Sequence, residues 1–222
     1  MKFFNASALL LVAITWSSAA FALSDVEEQV VTRMVGTQVV KAAPMTRQGQ
    51  LIGCSLEFTA IGRDVVYRQN QPFFMDGSIN AMATDKGVIA LTLKVVLRDI
   101  VSILPTLRAK PFVVSTTYLE SKSGKNNAAA LFSKTTSDTP GGLFSIFKLD
   151  ESLDVIQEML VDDEVTVAFA RTTTGLDAKV VLDLTVKNTE TGGGDVKREH
   201  DPLNTKPFLE CFGSLIDKNV KK

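Results

Sequence analysis

From residue 89 to residue 98 the chain alternates without a break. Ile89, Leu91, Leu93, Val95 and Leu97 fall on one side of an extended backbone, and Ala90, Thr92, Lys94, Val96 and Arg98 fall on the other. A period of two cannot place an apolar stripe on a helix; it requires a strand with one face turned to a core. The same period begins at Leu51, where Cys54, Leu56, Phe58 and Ala60 oppose Ser55, Glu57 and Thr59. After Gly62-Arg63-Asp64 the extended pattern resumes through Val65, Val66 and Tyr67. Further strands are predicted over 73–82, from Pro111 to Leu119, and over 143–149, 165–169 and 180–186.

Turn chemistry separates these runs. Thr84-Asp85-Lys86-Gly87 reads as a hairpin turn, residues 121–127 as a polar tip, 137–142 as a turn cluster and 172–175 as a return. Residues 44–50 and 188–204, the latter containing Gly192-Gly193-Gly194, read as polar loops. Helical signals are few. Ser24-Asp25-Val26-Glu27 has the form of a capping box, with Val30, Val31 and Met34 following at helical spacing. Asp150 is placed to cap a short helix bearing Leu153, Ile156, Met159 and Leu160. A last helix begins near Thr205, with Phe208, Cys211, Phe212 and Leu215 on one side. So few helices cannot supply parallel crossovers. The expected fold is mainly β or α+β: an antiparallel sheet or β-sandwich with one to three short helices, the C-terminal one packed on the sheet.

Residues 1–22 read as a secretory signal peptide. Lys2 is the basic start, an apolar centre runs through 8–14, and Ala20 and Ala22 are the small residues a signal peptidase needs. That apolar run is shorter than the ~20 residues of a spanning helix. Residues 23–222 are then expected as a single β-rich exported domain, secreted or periplasmic, with no transmembrane segment. Lys94, Arg98 and Asp99 break the most apolar later stretch.

Export gives the two cysteines a meaning. Cys54 sits among core-facing strand residues and Cys211 on the apolar stripe of the last helix. In an oxidising compartment such a pair reads as a disulfide pinning that helix to the sheet. A zinc set is not legible, because His200 is the sole histidine. Loss of Lys2 with the leader leaves 23 basic against 25 acidic residues, so no nucleic-acid footprint is present. Trp16 departs as well, which weakens a sugar-stacking reading.

No catalytic, cofactor or metal site emerges. His200 lies in a charged polar stretch, away from any nucleophile elbow. Ser145 and Lys148 have the Ser-x-x-Lys spacing but lie on a strand, which sends them to opposite faces. Ser123-Gly124-Lys125-Asn126 lacks the remaining parts of a phosphate loop. Asp162-Asp163-Glu164 is a carboxylate run whose side chains splay, where calcium needs converging oxygens. The expectation is an exported, non-enzymatic binding, adaptor or envelope-accessory protein whose partner is a protein or an envelope component. Two alternatives stand beside it: an exported hydrolase using a carboxylate pair assembled only in space, and a secreted inhibitor of another protein.

Overall fold

The computed structural model describes residues 23–83, 88–192 and 195–220. The expected leader and the 84–87 turn lie outside the described residues. A first helix, α1 (Asp25–Met34), is followed by a meander of four long strands: β1 (Gln38–Arg47), β2 (Gln50–Asp64), β3 (Gln71–Ala83) and β4 (Ile89–Ser102). Next come β5 (Arg108–Pro111), β6 (Thr116–Glu120), β7 (Leu131–Thr136), β8 (Gly142–Lys148), α2 (Leu153–Asp162), β9 (Glu164–Ala170) and β10 (Ala178–Asp183). The chain closes with β11 (Val186–Gly192), β12 (Asp195–His200) and α3 (Lys206–Val220).

Every pairing is antiparallel. One sheet runs β1-β2-β3-β4-β8-β7, with β5 also on β4; a second runs β10-β9-β6; β11 and β12 form a separate ladder. The alternation on β4 has the predicted effect: Leu91, Leu93, Val95 and Leu97 are fully buried. With Leu56, Met75 and Ile79 they face Leu119, Val165, Val167 and Leu182 of the second sheet. Phe73 and Phe169 meet edge to face, 5.5 Å between centroids. The hydroxyls of Thr117 and Ser145, both buried, lie 2.9 Å apart across the layers.

The C-terminal helix packs on β1 and β2 and is bonded there. Cys54 and Cys211 form a disulfide, with 5.8 Å between their Cα atoms. Phe208, Phe212 and Leu215 enter the core beside it. At the other end, α1 begins with the expected capping box. Its Glu27 also accepts from the Ile103 and Leu104 amides at 2.8 and 3.2 Å and from the Ser102 hydroxyl at 2.9 Å. The Ile103 amide above all, then the Ser24 amide and hydroxyl and the Leu104 amide, hold the carboxyl well below its ordinary range.

Five local expectations need correction. Residues 44–47 belong to β1, and the turn is confined to Gln48 and Gly49, both at positive φ. Pro44 is tolerated because β1 ends its sheet, where a missing N–H costs no ladder bond. Residues 65–67 are a turn, because Asp64 Oδ1 accepts the Val66 and Tyr67 amides at 3.1 and 2.7 Å. The strand expected over 111–119 divides: β5 ends at Pro111 and β6 starts at Thr116. Asp150 does not cap α2; it opens a single 3-10 turn, and Ser152 stands at the cap with its hydroxyl donated back to the Lys148 carbonyl at 2.8 Å and not to the helix. Residues 188–204 contain the β11–β12 hairpin, held from outside by Thr189 on Gln38 and by Arg198 on the Gly36 carbonyl at 2.6 Å.

Gly77 on β3 shows how closely this sheet is filled. A Cβ there would lie 2.4 Å from the Phe58 ring and 2.4 Å from the Lys94 carbonyl oxygen. Gly77→Ala must displace both, and overpacking of that kind costs about 1–3 kcal/mol. Urea denaturation should show the variant's unfolding free energy lowered by that amount, seen as a lower midpoint with an unchanged slope.

Candidate ligand-binding groove

The residues singled out for chemistry are mostly spent on structure. Ser145 is buried against Thr117, while Lys148 is exposed and bonded to Glu151 Oε1 at 2.5 Å. The two are not brought together. At the 121–127 tip, Glu158 of α2 accepts from Ser121, Ser123 and Lys125 at 2.6, 2.5 and 2.7 Å. The loop that resembled a phosphate cradle therefore holds an internal carboxylate. Lys125 and the two hydroxyls draw the Glu158 pKa down from 4.5 to about 2.

His200 sits at the end of β12, a strand where a loop was expected. Its Nδ1 is 2.8 Å from the Thr185 hydroxyl and 3.5 Å from Asp183 Oδ2. Thr185 donates to Asp183 Oδ1 at 2.6 Å, so its hydroxyl accepts from the ring instead of losing a proton to it. That polarity is opposite to an activated nucleophile. Asp163 takes the left-handed C-cap of α2 and accepts from the Thr205 hydroxyl at 3.2 Å. Among the described residues no group of three or more His, Cys, Asp or Glu side chains could hold a metal ion.

One buried carboxylate pair does form, and it was not legible in the sequence. Asp64 ends β2, Asp99 lies on β4, and Arg171 directly follows β9. Arg171 donates Nε to Asp64 Oδ2 at 2.7 Å and both Nη atoms to Asp99, at 3.1 and 2.6 Å. Its guanidinium carbon lies 3.3 Å from the Phe112 ring centroid. The other Asp64 oxygen is occupied by the turn amides. With their oxygens so engaged, the two carboxylates act as a clamp between the sheets.

The surface of the described residues carries several depressions, two of which lie along the larger sheet. One of about 370 Å³ lies on the open face of the larger sheet, over Glu57, Asp76, Lys94 and Arg98. Its charges are largely paired: Arg98 with Asp76, and Lys94 with Asp138 at 3.2 Å. The other, of about 680 Å³, lies where the start of β4 meets the end of β8. Eight of its ten lining residues are apolar, and Lys148 and Asp150 are the remaining two. Val88, Phe132 and Leu153 stand around it, 61%, 73% and 44% exposed.

The chain builds this groove by three local departures from regularity. A shift of register between Leu131 and Ser133 leaves Phe132 out of the β7–β8 ladder and re-aims it. The 3-10 turn after β8 sets the phase of α2, so Val155, Ile156 and Met159 are buried and Leu153 turns outward. Val88 precedes the first paired residue of β4. Exposed apolar side chains are ordinary singly; here three of them gather around one concavity. The volume falls within the usual range of small-molecule sites, about 300–1,000 Å³. No sequence signal announces this, since Leu153 falls at helical spacing with Ile156 and Leu160 and is expected on the same apolar face.

No family model matches this chain, and neither a curated protein nor a solved structure matches it. Among the described residues, no helix is long and apolar enough to cross a membrane.

Two outcomes follow from the ion pairs. Arg171→Ala strands two buried carboxylates, a change that costs about 3–5 kcal/mol, measurable by chemical denaturation. The Glu158 carboxyl has a lower pKa folded than unfolded, so the unfolded chain binds more protons between the two values. Its contribution is complete above pH 4.5 and is lost as pH falls toward about 2. The stability gap between wild type and Glu158→Gln should therefore close across that window and stay constant above it.

Proposed function

We propose that this chain is an exported, non-enzymatic binding protein of the cell envelope, acting by taking an apolar group into the groove between Val88, Phe132 and Leu153. The observation that carries this reading is a largely apolar concavity of about 680 Å³, open to solvent, around which three exposed apolar side chains from separate elements gather. Leaving such surface in water is unfavourable, by about 25 cal/mol for each Å² that could have been buried. Its retention on three separate elements supports a role in contact. The hydrolase reading draws less support, since the carboxylates of Asp64 and Asp99 are committed to Arg171.

A neutral environment-sensitive fluorophore, N-phenyl-1-naphthylamine, should bind at one saturable site. Phe132→Glu and Leu153→Glu, both at exposed positions, should abolish that binding while leaving the unfolding midpoint close to wild type. Absence of saturable binding, or binding that survives both substitutions, would refute the groove. For the export part of the reading, the chain recovered from the envelope of its own cells should begin at Leu23.

A further inference from the structure

The groove also carries information about what enters it. Its floor is made by β4 and β8, whose backbones are paired with each other through Ala90–Lys148, Leu91–Phe147 and Thr92–Ile146. Those amides and carbonyls are already used. A peptide laid along the floor would bring polar backbone groups into an apolar slot with nothing to receive them, an unfavourable transfer. The neighbouring free edge of β7 is poorly suited to strand addition as well. It carries the irregularity at Phe132, and Lys134 projects from it to the Ser115 carbonyl at 2.7 Å. Bulges and edge lysines are the features that blunt such pairing. A hydrocarbon chain makes no polar demand and fits the lining.

The rim adds a sign. Lys148 is neutralised by Glu151 at 2.5 Å, and Asp150 is exposed and closes no ion pair among the described residues. The three groups together leave one negative charge at the mouth. An anionic head group would be repelled there and a positive one attracted.

We propose that the groove holds the hydrocarbon chain of a single-chain amphiphile whose head group contains a cationic centre, placed against Asp150. This rests on the binding reading above and specifies the ligand class. The positive centre is that of a simple alkylammonium, because the phosphate of a phosphocholine lies between the hydrocarbon chain and its ammonium and would meet Asp150 first.

The test is competition against bound N-phenyl-1-naphthylamine, below the micelle threshold of each competitor. Hexyl, octyl and decyl trimethylammonium form one series and the matching alkylphosphocholines a second; alkyl sulfates of the same lengths are the control. Affinity should rise about fourfold for each added methylene until the groove is filled. At equal length, the trimethylammonium series should exceed the sulfates by about fivefold and the zwitterionic phosphocholines by less; phosphocholines that outbind the ammonium series would overturn the assignment. Asp150→Asn should erase that preference and leave the chain-length dependence intact.

Fluorophore binding with a flat chain-length dependence would overturn the proposal while leaving the groove reading in place. So would equal binding of sulfates and cations, or displacement by an apolar peptide that the amphiphiles fail to match. Failure of the fluorophore itself would remove both readings.

Discussion

Arg171 decides how the two sheets sit on one another. The apolar side chains between them supply most of the attraction, but that attraction has no direction and would tolerate sliding or rotation. A guanidinium that meets Asp99 with two parallel bonds and Asp64 with a third tolerates neither. The clamp joins the end of β2, the middle sheet strand β4 and the exit of β9. Phe112 covers the guanidinium, so the β5–β6 connection is tied to the same point. Replacing such a cluster by well-packed apolar residues can match it in stability. Its distinctive contribution is geometric.

The groove depends on this arrangement from a distance. With β9 fixed at its far end, α2 must return over the end of β8, and the 3-10 turn at Asp150–Ser152 sets its rotation. That rotation brings Leu153 beside Phe132. The irregularity that frees Phe132 belongs to an edge strand, where a break in the ladder costs least. Rigid paired strands form the floor, and an edge residue and a helix start form the rim. The site thus combines a fixed base with a margin able to adjust.

Burial on one side made much of the fold legible. Strands β2 and β4 turn one apolar stripe to the core, Cys54, Leu56, Phe58 and Ala60 on the first and Leu91, Leu93, Val95 and Leu97 on the second, and their residues alternate accordingly. Strand β1 was missed because Lys41, Pro44, Thr46 and Arg47 carry no clean alternation. It is a strand because β2 offers it an edge. The β11–β12 hairpin was missed for a related reason. Little of it is buried, and side-chain bonds from neighbouring elements hold it in place, so no apolar period could announce it. The disulfide was readable because its two cysteines fell on independently recognisable core-facing stripes. Arg171, Asp64 and Asp99 lie on three elements far apart in sequence, and so do Val88, Phe132 and Leu153. A linear pattern registers neighbours on one element; it does not register residues that meet only when elements pack.

The bond between Cys54 and Cys211 turns most of the chain into a covalent ring. Everything from β3 to the first turn of α3 lies inside it. A protease that cuts once within that ring, at the polar 121–127 tip for instance, leaves both pieces joined through sulfur and through the sheets they share. Only a cut outside the ring can detach a segment: before Cys54, where α1 and β1 lie, or after Cys211. In an enzyme-rich surrounding, the molecule can be nicked in its middle and still be one molecule.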